Sequence, residues 1–204
     1  AQVRFVGGCV RDSLIGRRVN DVDIATDAEP SRVIELMQEA GFRTIPLGLD
    51  HGTVMVVVDG ESFEITTLRR DIETDGRRAT VEFTDDWEAD AARRDLTFNA
   101  LSLDADGTIH DPFGGAADVK AGRVRFVGDA ATRIKEDYLR LLRYYRFYAH
   151  YGRPPSDPDA RAACRALATG IERLSGERIR AELLKLLAAS NPIPALGMMR
   201  DDDV

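Results

Sequence analysis

The sequence predicts an α+β chain: a small mixed head over residues 1–130, followed by an all-helical segment over residues 131–204. Three observations carry this. Up to about residue 130, short runs of β-branched residues alternate with helical patterns. Two of those runs flank Asp59-Gly60, a strong signal for a two-residue hairpin. From Thr132 onward the apolar residues recur only at helical spacing.

Taken in order, residues 3–6 read as a strand, a helix includes 10–15, and 22–25 form a second strand. Pro30-Ser31 opens a helix to about residue 40, where Val33, Leu36, Met37 and Ala40 share a face and Gly41 stops it. Residues 53–58 and 62–68 form the hairpin. Residues 69–91 are polar, charged and without period, which predicts a mobile loop of functional length. A helix is expected over 89–100, then a turn at Asp106-Gly107 leading to Asp111-Pro112-Phe113-Gly114-Gly115. Ile134, Leu139, Leu142, Tyr145 and Ala149 predict one long helix ending near Gly152-Arg153-Pro154-Pro155. A second helix runs from Asp157 or Pro158 to Thr169, capped by Gly170, and a third starts near Ser175 with Ile179, Leu183, Leu186 and Leu187.

With 204 residues, 44% hydrophobic and 31% charged, the chain has the composition of an ordinary globular protein with a full core. No apolar run approaches the ~20 residues that cross a bilayer, so no membrane role is expected. Cys9 and Cys164 match neither a disulfide framework nor a zinc spacing, and a reducing cytoplasm is the simplest setting. The chain opens without Met, with no signal peptide, and closes on Asp201-Asp202-Asp203-Val204, which reads as an excerpt of a longer protein. Its net charge is −7, yet residues 132–185 hold twelve Lys/Arg against seven Asp/Glu, leaving −12 for the remainder. That asymmetry permits a basic face on an acidic molecule.

The candidate chemistry begins at Gly7-Gly8-Cys9-Val10-Arg11-Asp12, followed by Asp21-Val22-Asp23. On one strand, Asp21 and Asp23 point the same way with Val22 behind them. Two such carboxylates repel unless a cation lies between them, and oxygen ligands of this kind suit Mg²⁺, which takes its other ligands from water and substrate phosphates. Gly7 and Gly8 let backbone approach a phosphate closely, with a helix start behind them. Glu64, on the second hairpin strand, would complete the metal site if that strand lies beside the two aspartates.

Two further segments mix donors and acceptors densely. In Arg93-Arg94-Asp95-Leu96-Thr97-Phe98-Asn99, the arginines suit a triphosphate clamp, Asp95 suits ribose hydroxyls, and Asn99 suits the sugar or base. In Glu136-Asp137-Tyr138-Leu139-Arg140, Asp137 and Arg140 stand three apart on one helix face. A carboxylate beside a guanidinium complements the amino donor and ring-nitrogen acceptor that cytosine and adenine share. Uracil and guanine reverse that pattern and would leave both side chains unpaired. Arg143 and Arg146 continue the face toward phosphates.

These segments, with Gly176-Glu177-Arg178-Ile179-Arg180-Ala181-Glu182-Leu183, resemble in order the class II tRNA nucleotidyltransferase and bacterial poly(A) polymerase family of the polymerase β superfamily. The resemblance implies a polymerase β-like head followed by an α-helical neck that reads the base. It implies two Mg²⁺ ions on Asp21 and Asp23, one activating a tRNA 3′-hydroxyl for in-line attack and one on the departing pyrophosphate. Gly7, Gly8 and Arg11 would serve the triphosphate, Asp95 the ribose, and Asp137 with Arg140 the base edge, so that protein acts as template, with Arg94 of the second segment as a further nucleotide-binding candidate. Glu177 and Arg178 look like a structural support, and 69–91 like the flexible loop that helps the site switch from C to A. Leu96 and Phe98 depart from the usual Phe and smaller aliphatic, which reads as a packing exchange. The family continues into body and tail domains that grip the tRNA elbow, and the chain is expected to end before them.

The expected partners are therefore the tRNA 3′ end, CTP and ATP, with addition of CCA as the leading activity and the oligomeric state left open. Poly(A) polymerase, a CC- or A-adding specialist, a non-catalytic nucleotide-binding module and an Mg²⁺ phosphohydrolase are the rivals. The last is disfavoured because hydrolysis has no need of the Asp137 and Arg140 pair.

Overall fold

The computed structural model describes residues 1–74 and 79–204, with the side chains of residues 50, 71–74, 79 and 80 outside the description. The centre of the head is a parallel pair, β2 (Asp23–Thr26) beside β5 (Glu61–Thr67), in a sheet otherwise antiparallel. On one side β4 (Thr53–Val58) pairs with β5, and β3 (Arg43–Gly48) forms the edge. On the other, β1 (Val3–Val6) pairs with β2, followed by the short β8 (Ser102–Leu103) and β9 (Ile109–His110). The order is β3-β4-β5-β2-β1-β8-β9. Asp59 and Gly60 both adopt positive φ at the β4–β5 turn, the conformation a two-residue hairpin needs.

Helix α1 (Gly8–Leu14) leaves β1 directly, and α2 (Pro30–Glu39) opens on its proline, whose missing N–H has no partner to lose there. Val33 of α2 packs on Val54 and Val56 of β4. The main core lies elsewhere, where the head meets the helices. It joins Val10 of α1, the Leu96–Leu101 region and Val119 of α4 (Gly115–Ala121) to α5 (Ala130–Glu136) and α6 (Leu139–Tyr151). Behind these stand α7 (Pro158–Ala166), α8 (Gly176–Leu187) and α9 (Ile193–Asp201), the last unseen in the sequence. Leu96 and Phe98 are wholly buried in this core, and Phe98 packs edge-on against Phe147.

Several expectations need correction. Strand β3 was not expected; it carries Pro46, which an edge position with a register shift there tolerates. The expected loop at 69–91 is instead a two-stranded ribbon, β6 (Arg69–Thr74) with β7 (Ala79–Phe83), followed by α3 (Trp87–Ala92); residues 75–78 lie outside the described ones. Charges at 69, 70, 71 and 73 fall on both phases of the alternation, so no strand period is visible. The helix expected over 89–100 ends at Ala92, and a 3₁₀ turn at Thr97–Asn99 follows. The long helix from 132 is two, because Asp137 is extended (φ −152°, ψ 109°) and its carboxylate accepts from Leu139 N at 3.0 Å to start α6. Gly170 does not cap α7. It lies in a 3₁₀ turn where any Cβ would strike the Tyr138 ring at 1.9 Å.

One small residue holds the Thr97–Asn99 turn in place. A Cβ on Gly115 would come within 2.2 Å of the Thr97 carbonyl oxygen and 2.8 Å of Phe98 Cα. Because those are backbone atoms, Gly115→Ala should displace the turn and destabilise the protein by roughly 1–3 kcal/mol. Chemical denaturation of the variant checks this, and an unchanged midpoint would contradict it.

Candidate active site

A cleft of about 630 Å³ opens where the β1–α1 turn, the Arg93–Asn99 segment and the α5–α6 break converge. Six arginines (11, 69, 93, 94, 140 and 143) and three aspartates (23, 95 and 137) line it, so the cleft is positive on an acidic chain. Gly7, Gly8, Asn99, Leu139 and Phe147 complete the wall.

Gly7 ends β1 with φ 71°, and its N–H donates to the Leu101 carbonyl at 3.0 Å. Its positive φ favours glycine, and a Cβ there would also lie 2.9 Å from Arg94 Nη1, which would have to shift. Arg94 then donates to the Asn99 carbonyl at 3.2 Å, beneath the turn.

Arg11 is buried, with Nε and Nη2 forked onto Asp12 at 3.0 and 2.9 Å and Nη1 on Asn99 Oδ1 at 2.7 Å. Its face lies over the Tyr151 ring at 4.3 Å, and Tyr151 donates its hydroxyl to Asp12 at 2.8 Å. A guanidinium has five N–H groups, so two remain for an anion in the cleft. Asn99 is similarly occupied: Oδ1 accepts from Arg11, and Nδ2 donates to Asp95 at 2.9 Å, leaving one amide hydrogen. Asp95 is buried and accepts in addition from Leu96 N at 2.8 Å and from Arg143 Nε at 2.6 Å. Burial alone would raise its pKa, but Arg143 and the hydrogen bonds outweigh that and hold the carboxyl below the usual aspartate range.

Asp137 and Arg140 both face the cleft but are not paired with each other by side chain. Asp137 Oδ2 accepts from Arg178 of α8 at 2.7 Å, so Arg178 does support the motif. Arg140 binds Glu136 at 2.5 Å and donates to the Arg93 carbonyl at 2.9 Å. Arg143 lies in the cleft, whereas Arg146 does not. It sits against the buried Glu182 of α8, with Nε and Oε2 2.8 Å apart but misaligned for a hydrogen bond.

The acidic pair is only partly as expected. Strand β2 begins at Asp23, which lines the cleft, while the exposed Asp21 precedes the strand and is not in the cleft wall. Neither carboxylate joins a salt bridge or accepts a hydrogen bond among the described residues, so both remain available to a cation. Register sets Glu64 directly beside Asp23 on the parallel strand. Even so, no group of three or more His, Cys, Asp or Glu among the described residues could hold a metal, so Glu64 does not complete a preformed three-ligand site. Sequence reading missed Arg69, Leu139 and Phe147 as cleft residues. Arg69 was hidden in the expected loop, and Phe147 is also a buried core residue, which gives it no polar signal.

This fold, an acid-bearing strand beside a glycine turn and an arginine cleft with helices closing one side, is that of a polymerase-type nucleotidyltransferase head. Residues 3–125 match the family described as poly A polymerase head domain, and 157–204 match the probable RNA and SrmB-binding site of polymerase A. The chain belongs to the poly(A) polymerase head-domain family. It is 48% identical over 206 residues to the human CCA tRNA nucleotidyltransferase 1, mitochondrial, covering 100% of this chain and 48% of that protein. It is 42% identical over 199 residues to the CCA-adding enzyme of Oceanobacillus iheyensis, covering 97% and 48%. Among solved structures, the Bacillus stearothermophilus CCA-adding enzyme in complex with CTP superposes with a TM-score of 0.85 at 40% identity, over 97% of this chain and 47% of that one. The Thermotoga maritima CCA-adding enzyme complexed with tRNA gives 0.80 at 26% identity, over 100% and 47%. The chain thus spans about half the length of these relatives. Among the described residues, no helix is long and apolar enough to cross a membrane.

Because the folded pKa of Asp95 lies below the ordinary 3.8, its contribution to stability is fully present above that value and is lost as pH falls through the folded pKa. Asp95→Asn removes this dependence. Denaturant unfolding between about pH 5 and pH 2 should therefore show a shallower fall in the variant than in the parent. Parallel curves would contradict the pairing.

Proposed function

We propose that this chain is the head and neck portion of an enzyme that adds CCA to tRNA 3′ ends from CTP and ATP without a nucleic-acid template. Residues 1–130 form the catalytic head and 131–204 the helical neck that reads the base. One observation carries the reading: the cleft joins Asp23, a carboxylate with no partner among the described residues, to six arginines and to Asp137 with Arg140 at the α5–α6 break. Its volume suits a nucleoside triphosphate. A hydrolase needs no such base-facing pair. The reading is supported further by the relatives, which are named as CCA-adding enzymes and include structures with CTP, with tRNA and with a primer tRNA and an ATP analogue.

In this reading Asp21 and Asp23 hold divalent metal, most simply Mg²⁺, together with the substrate phosphates. When bound, such ions activate the attacking hydroxyl and neutralise the leaving pyrophosphate. The two free N–H groups of Arg11, with Arg93, Arg94 and the glycine turn, bind the triphosphate. Asp95 and the remaining amide hydrogen of Asn99 face the sugar. Asp137 keeps unshared lone pairs and Arg140 its Nε–H, enough to meet one donor and one acceptor on a base edge. Arg143 aligns Asp95 and so acts beside the sugar rather than as a phosphate ligand. The setting we infer is a reducing one, since Cys9 and Cys164 are both buried free thiols. The cytoplasm is the simplest such compartment, although the human and zebrafish relatives are named as mitochondrial.

The test supplies the full-length protein with Mg²⁺, a tRNA transcript ending at its discriminator base, and labelled nucleotides singly and together. CTP plus ATP should add three residues. A long ladder with ATP alone would mean a poly(A) polymerase, a stop at two a CC-adding specialist, and no incorporation a binding module. In the same assay, Asp23→Ala should lower transfer by at least about 10³-fold while the thermal midpoint stays near that of the parent. Substantial residual turnover would sink the metal assignment. Arg140→Ala should admit UTP or GTP at a cost to C/A preference of about tenfold or more; continued full exclusion of both would count against protein templating.

A further inference from the structure

Asp90 is not in the cleft wall, yet it touches much of what is. It lies on α3 and is 4% exposed. Its Oδ1 accepts from Arg93 Nε at 2.9 Å and Nη2 at 2.7 Å, and from the backbone N–H of Arg69 at 3.3 Å. Its Oδ2 accepts from Arg94 Nη2 at 3.2 Å. Arg69, Arg93 and Arg94 all line the cleft. One buried carboxylate therefore fixes two neighbouring guanidiniums and the backbone of a third arginine.

The arrangement solves a physical problem. Arg93 and Arg94 are like charges adjacent in sequence on long flexible stems, each with considerable rotamer freedom to lose. A shared anion between them removes the repulsion and fixes both before any ligand arrives. Arg94 also runs close under the glycine turn, its Nη1 2.9 Å from where a Cβ of Gly7 would lie. The third bond adds a mechanical link. Arg69 starts β6, and the foot of the β6–β7 ribbon is closed by Thr84 N–H donating to the Leu68 carbonyl at 3.0 Å. Fastened to Asp90, the ribbon and the two guanidiniums share one anchor.

We propose that Asp90 is a positioning residue of the cleft. Without touching substrate, it aims Arg93 and Arg94 at the phosphates of a nucleoside triphosphate and ties the β6–β7 ribbon to them. The phosphate assignment rests on the nucleotide reading above, so the test includes a probe independent of it.

Asp90→Asn keeps the shape and removes the charge. Titration calorimetry on the full chain with Mg²⁺ measures CTP, CMP and inorganic pyrophosphate in parent and variant. CTP and pyrophosphate should each weaken by about tenfold, while CMP changes less than about twofold. Equal losses for CTP and CMP would show a merely structural role and overturn the proposal, as would unchanged affinity for both. Should the parent fail to prefer CTP over CMP, the nucleotide reading fails. Pyrophosphate then decides the role of Asp90 alone, with equal binding by parent and variant overturning it. If the Asn variant does not fold, Asp90→Glu is read by the same criteria, because it keeps the charge and shifts both arginines by one methylene.

Discussion

The structure depends on a closed circuit of buried and half-buried polar contacts that leaves one helix and returns to it. From Arg143 on α6 it passes to Asp95, to Asn99, to Arg11, to Asp12, and back to α6 at Tyr151. Donors and acceptors alternate at every step, so each charge meets an opposite charge or an amide. Arg143 and Tyr151 are eight residues apart, about 12 Å along a helix. The circuit thus clamps the β1–α1 turn and the Arg93–Asn99 segment to α6 at two points rather than one. Removing Arg143, Asp95, Arg11 or Asp12 leaves its ionic partner unpaired, a loss of roughly 3–5 kcal/mol for a fully enclosed pair and less where water reaches it.

That constraint gives the cleft its character. Arginines fixed in advance by carboxylates surrender little conformational freedom when an anion arrives. Their remaining N–H groups, rather than whole side chains, are what the cleft offers. Arg11 shows this most fully: Asp12 and Asn99 take its edge, and the Tyr151 and Phe147 rings lie against it at 4.3 and 5.3 Å. Asp23 at the start of β2, and Asp21 two residues before it, stand outside these pairings among the described residues, which leaves both carboxylates available to a cation. Specificity in such a site comes from geometry held by a dry core, with Phe98 and Phe147 wholly or nearly buried behind it.

How much of this was legible in the chain follows from which interactions are local. Gly7, Gly8, Arg11, Asp23, Arg94, Asp95, Asn99, Asp137, Arg140 and Arg143 were all nominated from short motifs, and all line the cleft. Those motifs need only a turn, a strand end or a helix start to present them. The choice of partner was not legible, because it is made across the fold. Arg146 follows Arg143 at helical spacing, but the buried Glu182 of α8 draws it away. Asp137 looked like the mate of Arg140, yet Arg178 takes the one and Glu136 the other. The same division runs through the fold. The Asp59-Gly60 hairpin is written in a local turn, whereas the break between α5 and α6 is hidden by apolar spacing that runs on through Leu139, Leu142 and Tyr145. What sets the break is Asp137 capping α6 and the close packing of Tyr138 on Gly170.

The most direct test of this account is a double-mutant cycle on stability between Asp95→Asn and Arg143→Gln, followed by denaturant unfolding near neutral pH. If the circuit carries the clamp, the two losses will fail to add, with a coupling free energy of about 1–3 kcal/mol. Additive losses within about 0.5 kcal/mol would mean that the head and α6 are held by apolar packing alone, and that the circuit is incidental to it.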